Sequence, residues 1–211
     1  MEDYNGLILC DVGNSRLHFF DGAVQHFEID EGLARYAKER VCFISVNADV
    51  TKRISKEAPG WRDFSHCRLL PSDYAGWGID REAACLGAGE GVVVDAGSAV
   101  TVDIVKAGRH LGGWIWPGVR AWQRACAAVS PRLDLPLTPV ERERVPLSTE
   151  QALGGAFFGG IWRVIERFGE GLPVYVTGGD APLMAEVLPN AVVDERLVFK
   201  GMRIMIKECG C

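Results

Sequence analysis

Val92-Val93-Val94-Asp95-Ala96-Gly97-Ser98, continued by the apolar run Ala99 to Val105, decides the fold. A β-branched run reaches a carboxylate, turns through a glycine and a hydroxyl residue, and resumes as a second apolar run. That pattern predicts strand, tight turn, strand, and not a strand feeding a helix. It occurs earlier as well, where Leu7-Ile8-Leu9-Cys10-Asp11-Val12-Gly13-Asn14 leads through Ser15 and Arg16 into Leu17-His18-Phe19-Phe20. One supersecondary unit is used twice.

The atoms of such a turn suggest its use. Gly13 and Gly97 lack Cβ, so the main chain can take positive φ and a ligand can approach it closely. Successive N–H groups in a turn of this kind form an anion site. Asp11 and Asp95 end apolar runs, where a carboxylate needs a cation or donors. Amides facing an anion beside carboxylates facing a cation suit a metal-bound polyphosphate. A single copy would read more simply as an Asp capping a hairpin; two copies in the same strand context favour a shared site.

The 211 residues, 48% hydrophobic and 24% charged, are enough for a substantial core and ordinary for a globular protein. A formal charge of −5 argues against a nucleic-acid surface. No apolar run approaches the roughly 20 residues that span a bilayer. Met1-Glu2-Asp3-Tyr4-Asn5 has no basic region or cleavage pattern, so a cytoplasmic protein is expected. Cys10, Cys42, Cys85 and Cys126 sit among apolar neighbours and read as core, while Cys209 and Cys211 read as an incidental, frayed tail. The odd total of seven cysteines and the absence of Cys-x-x-Cys make a zinc site unexpected.

Strands are expected at Gly6 to Asp11, Leu17 to Phe20, Val24 to Ile29 and Val41 to Val46, with helices at Glu31 to Arg40 and Asp49 to Ala58. A helix starting near Asp80 ends in Gly87-Ala88-Gly89, which is taken as the boundary between domains 1–88 and 89–211. In the second half, Gly112-Gly113-Trp114-Ile115-Trp116-Pro117-Gly118 reads as a rigid turn before a helix from Val119 to Val129. Ser148 or Thr149 caps a helix running to Phe168, whose Gly154-Gly155 and Gly159-Gly160 imply a close packing or subunit contact. Val174-Tyr175-Val176 ends in Thr177-Gly178-Gly179-Asp180 before the helix Ala181 to Leu188, an arrangement that admits a nucleotide. Neither a Gly-x-x-x-x-Gly-Lys-Ser/Thr loop nor a Gly-x-Gly-x-x-Gly after a strand occurs.

Five segments, taken in order, resemble the motifs of type III pantothenate kinases. They are Asp11-Val12-Gly13-Asn14-Ser15, Gly78-Ile79-Asp80-Arg81, Asp95-Ala96-Gly97-Ser98-Ala99-Val100-Thr101-Val102-Asp103, Gly112 to Gly118, and Thr177-Gly178-Gly179-Asp180-Ala181. The resemblance runs from Leu7 to about Asp194. It implies an α/β fold of two duplicated ribonuclease H-like domains of the actin/hexokinase type, with an ATP cleft between them, and ATP-dependent phosphorylation of pantothenate to 4′-phosphopantothenate, the first step of coenzyme A synthesis.

The resemblance also implies residue roles. Asp11, Val12, Gly13, Asn14, Ser15, Arg16, Leu17 and His18 form the first phosphate turn; Ser98, Gly178 and Gly179 contact ATP; Asp95 holds a monovalent cation, K⁺ or NH₄⁺. Tyr74, Gly78, Ile79, Asp80, Arg81 and Thr149 bind pantothenate, Asp80 is the proton acceptor, and Mg²⁺ accompanies ATP. A homodimer is implied too. Ser15 and Ser98 stand where the family usually has Thr, and Val100 replaces another frequent Thr. Trp114 and Trp116 are bulkier than usual and read as core or dimer packing. Two other readings are a nucleotide-binding regulator that keeps the fold without turnover, and another small-molecule kinase of the superfamily. The intact Asp80 and Asp95 argue against the first, and the Gly78 to Arg81 motif against the second.

Overall fold

The structure, a computed structural model, describes residues 6–141 and 144–210. The expected leaderless start at Met1 to Asn5, and Cys211, lie outside the described residues. The chain forms two compact units, Met1–Ala88 with Arg196–Cys211, and Gly89–Glu195.

In the first unit β1 (Ile8–Val12), β2 (Arg16–Phe20) and β3 (Val24–Glu28) form an antiparallel meander followed by α1 (Ile29–Tyr36). β4 (Val41–Ser45) runs parallel to β1; after α2 (Ala48–Glu57), β5 (Arg62–Asp63) runs parallel to β4. The strand order is β3-β2-β1-β4-β5. Alternate residues of a strand face opposite sides. Cys10, Val12, Leu17, Phe19, Val41 and Phe43 therefore share one face, packed under Leu33, Tyr36, Val50 and Ile54 of α1 and α2. Leu9, Asp11, His18 and Phe20 share the other. α3 (Ile79–Ala88) closes this part of the chain.

The second unit repeats the scheme. β6 (Gly91–Ala96), β7 (Ala99–Lys106) and β8 (Arg109–Pro117) are antiparallel neighbours, followed by α4 (Val119–Val129) and α5 (Thr149–Phe168). β9 (Val174–Thr177) runs parallel to β6, and beyond α6 (Ala181–Val187), β10 (Val192–Val193) runs parallel to β9. The order β10-β9-β6-β7-β8 is that of the first sheet. Val92, Val94, Ala96, Val100 and Val102 pack against Phe157, Phe158 and Ile161 of α5 and Met184 of α6. The duplicated ribonuclease H-like architecture is present strand for strand.

Three expectations are corrected, the third being the frayed tail at Cys209. Gly112 to Pro117 is not a turn but most of β8, and only Gly118, the N-cap of α4, leaves the strand. Gly112, at φ +133, sits beside the bulge between Ile104 and Val105, and Pro117 ends the strand, the places where a strand tolerates these residues. The segment after Glu195 does not belong with 89–211. It forms α7 (Leu197–Cys209), which packs against α3 in the first unit.

The α3–α7 crossing explains its glycines. A Cβ on Gly201 would collide with the Ala83 carbonyl, and one on Gly87 with the Leu197 carbonyl. Phe199 meets Phe20 at 5.6 Å between ring centroids. Cys209, expected in a frayed tail, is disulfide-bonded to Cys67 and fastens the end of α7 to the loop beyond β5. Among the described residues no helix is long and apolar enough to cross a membrane.

Candidate active site

Asp11 lies one residue before the end of β1, opposite His18 of β2. The turn beyond it closes where the Gly13 amide donates to the Arg16 carbonyl at 3.0 Å, and the Val46 amide donates to the Val12 carbonyl at 3.2 Å. Asn47 adds a brace that no motif announced. Its Oδ1 caps α2 by accepting from the Asp49 and Val50 amides, both at 3.1 Å, while Nδ2 donates to the Asn14 carbonyl at 3.3 Å. The residue that caps α2 thus also holds the first turn.

The remaining members of the turn differ in what they can offer a ligand. Asn14, Ser15 and Arg16 are exposed, and Arg16 pairs with Glu28 at 3.1 Å. Val12 and Leu17 are core side chains, so only their main chain can face a ligand. His18 Nδ1 lies 2.7 Å from His26 Nδ1, a hydrogen bond in which one ring donates and the other accepts. Burial, then His26, then Arg16 push the His18 imidazole down to about 4, so it is neutral at neutral pH. Burial, with Asp11 adding to it, pushes the neighbouring Cys10 thiol well up, and it is no nucleophile.

Asp80 stands in the first turn of α3. Its Oδ1 accepts from the Arg81 amide at 2.7 Å, and a Cβ on Gly78 would run into that oxygen, so the carboxylate takes this position only beside a glycine. Gly78 also faces Val46, the residue bonded to Val12, which sets the Asp80 motif at the same end of the sheet as the Asp11 turn. Arg81 is 7% exposed, with its guanidinium 5.0 Å from the centroid of the Tyr74 ring. Ile79 is buried in the core. Asp11, Tyr74, Gly78, Asp80 and Arg81 are all carried by the first unit.

The second unit carries Asp95, Ser98, Thr149, Gly178 and Gly179. Asp95 is the last residue but one of β6, opposite Thr101 and beside Thr177 of β9. Main-chain bonds fix its turn: Gly97 N–H to the Ala99 carbonyl at 2.9 Å, Gly118 N–H to the Ser98 carbonyl at 3.0 Å, and Asp180 N–H to the Ala96 carbonyl at 2.9 Å. Gly178, at φ +90, rests on this turn so closely that a Cβ would lie 2.6 Å from Asp95 Oδ1. Gly118 likewise leaves no room for a Cβ against the Gly97 carbonyl.

Gly97 and Gly179 are different. Neither has positive φ, and a Cβ would meet nothing nearer than 4.0 Å at Gly97 and nothing within 4 Å at Gly179. Their missing side chains leave main chain open beside a carboxylate, which fits a phosphate chain with its cation. Ser148, not Thr149, caps α5, accepting from the Gln151 amide at 3.2 Å; Thr149 is the exposed first residue of the helix. Asp103, part of the same motif as Asp95, is 1% exposed and bonded to His110 at 2.8 Å, a brace within the sheet. Val100 is a core residue, and Trp114 and Trp116 pack against that core.

A family model for type III pantothenate kinases matches residues 61–170. A type III pantothenate kinase from Helicobacter pylori is 37% identical over 210 residues, 99% of this chain and 94% of that protein. One from Campylobacter jejuni is 36% identical over 205 residues, 96% of this chain and 97% of that protein. A solved structure described as a Baf family transcriptional activator, also from Campylobacter jejuni, superposes with a TM-score of 0.84 at 36% identity, covering 95% of this chain and 98% of that one. The ethanolamine utilization protein EutJ of Carboxydothermus hydrogenoformans shares the fold at a TM-score of 0.54 and 15% identity, covering 94% and 89%.

The depressed His18 makes stability pH-dependent in a stated direction. The folded chain binds its proton near 4, whereas an unfolded histidine binds it near 6.5, so this contribution is complete above 6.5 and is lost as pH falls through 4. The shift corresponds to about 3 kcal/mol at most. Urea unfolding of wild type and His18→Gln at pH 7.5 and pH 4.5 should show a smaller loss in the variant. Equal losses in the two proteins would rule the effect out.

Proposed function

The chain belongs to the type III pantothenate kinase family, which phosphorylates pantothenate with ATP to give 4′-phosphopantothenate, and we propose how its own residues carry that reaction. The single observation that supports the assignment best is the cluster at the start of α3. There a carboxylate, a nearly buried guanidinium and an aromatic ring stand together at the strand ends that carry the Asp11 turn. Phosphoryl transfer asks a protein for alignment and charge neutralisation more than for covalent chemistry.

In this reading Asp80 accepts the proton of the primary hydroxyl of pantothenate. The Arg81 amide on Oδ1 fixes the plane of that carboxylate, so the base is oriented before the substrate arrives. Arg81 pairs with the pantothenate carboxylate, a bidentate match for a guanidinium held in place by Tyr74. Thr149 is a further substrate contact.

Ser98 and Gly178, with the open main chain at Gly179, receive phosphate oxygens, as does the turn from Asp11 to His18, and the missing side chain of Gly97 leaves room for the approach. Asp11 would be the residue that holds Mg²⁺ bound with ATP, whose charge would offset that of the phosphates. Asp95 would hold a monovalent cation. The regulator and the other-kinase readings are not favoured, because relatives described as type III pantothenate kinases align with nearly the whole chain.

A coupled ADP-release assay with ATP, Mg²⁺ and K⁺ should show turnover with pantothenate and none with sugars or acetate. Asp80→Asn should lower kcat by about 100-fold or more while ATP still binds; an unchanged kcat removes Asp80 from its role. Replacing K⁺ by Na⁺ should slow the wild type sharply, and equal rates would remove the cation from Asp95.

We also propose a homodimer through the open face of α5. Gly154 is explained within the unit, since a Cβ there would strike the Thr138 carbonyl, but Gly159 and Gly160 face open space. They border a groove of about 450 Å³ lined by Val140, Pro146, Phe158 and Trp162. Sedimentation should give twice the chain mass for wild type and less for Gly160→Glu. A monomeric wild type contradicts the dimer.

A further inference from the structure

Glu82 brings a carboxylate into the first unit that the chemistry above does not use. It is 1% exposed and stands two residues beyond Asp80 in the first turn of α3. Its Oε1 accepts from the Leu69 amide at 2.7 Å and from the Leu70 amide at 2.9 Å. Its Oε2 accepts from Arg68 Nη1 at 2.9 Å, and the same nitrogen donates to the Trp77 carbonyl at 3.0 Å. These bonds fasten both ends of the segment 68–77 to the start of α3.

Between β5 and α3 that segment contains no helix and no extended strand of its own. It carries Tyr74, the ring over which the Arg81 guanidinium lies. A buried carboxylate is costly without donors and firmly placed with them. Here two of the donors are main-chain amides of the very segment being held. The helix that presents Asp80 and Arg81 therefore also fixes, through its next residue, the loop that faces them.

We propose that Glu82 is a positioning residue for pantothenate: it holds the 68–77 segment so that Tyr74 and Arg81 present one preformed face to the substrate. The proposal rests on the assignment of Tyr74 and Arg81 to pantothenate. It separates substrates in a way that a purely structural role does not. Loosening the segment weakens pantothenate and leaves the phosphate turns of both units as they were.

The test measures kcat and both KM values for wild type, Glu82→Gln and Arg68→Ala, with amide hydrogen exchange at Leu69 and Leu70. Glu82→Gln should raise KM for pantothenate by about tenfold, the scale of one or two lost charge-assisted bonds. KM for ATP should stay within about twofold, and the two amides should exchange faster. Should Glu82→Gln fail to fold, Arg68→Ala carries the test, because Arg68 is half-exposed and its loss frees the Trp77 end of the segment. It should move KM for pantothenate in the same direction by less. A folded variant with unchanged KM for pantothenate overturns the inference, as does an equal rise in both KM values. If the wild type turns over no pantothenate, the functional reading itself has failed and takes this inference with it.

Discussion

Each central strand carries a carboxylate one residue before its end, and the backbone beyond it is held by the strand that runs parallel to it. In the first unit the residues after β4 do this, Val46 bonding to Val12 and Asn47 to Asn14. In the second, the residues after β9 do it, Asp180 bonding to Ala96 while Gly178 rests on Asp95. In both cases a bracing residue stands at the start of the helix that follows: Asn47 caps α2 through its side chain, and Asp180 occupies the N-cap position of α6. A carboxylate at such a place stands on fixed main chain and is only partly buried. The turn next to it has its amides fixed before any ligand arrives, which is what an anion site needs.

The second constraint is the crossing of α3 and α7. Glycine inside a helix costs about 1 kcal/mol relative to alanine, yet Gly87 and Gly201 stand where the partner helix's carbonyls leave no room for a Cβ. The backbones approach, and many small contacts compensate. Because the first turn of α3 carries Asp80 and Arg81, the last helix of the chain supports the residues to which the chemistry is assigned. The disulfide from Cys67 to Cys209 ties the far end of that support to the loop leading toward Tyr74.

Much of this was legible in the sequence because it depends on short-range periodicity. The paired runs around Asp11 and Asp95 became β1–β2 and β6–β7, and the strand orders of the two sheets repeat as the duplicated motif implied. What failed was decided at long range. Gly112 to Pro117 carries every local sign of a turn, but pairing with β7 draws it into a strand, with the irregularities placed at a bulge and at a strand end. Nothing near Cys209 in sequence points to Cys67, and nothing near Arg196 shows that the chain returns to its first unit. Asn47 caps α2 and Glu82 stands in the first turn of α3. Their second bonds, to Asn14 and to the 68–77 segment, join residues that sequence spacing does not relate.

The central claim is that the main chain around Asp95, fixed by Gly178, binds the phosphates of ATP. Calorimetric titration of Gly178→Ala with Mg²⁺ and ATP tests it most directly, with circular dichroism to show that the chain is folded. The added Cβ must push against the Ala96 carbonyl and Asp95 Oδ1. The account predicts a folded protein whose ATP affinity falls at least about tenfold, or 1.4 kcal/mol. A folded variant that binds ATP as tightly as wild type would contradict it.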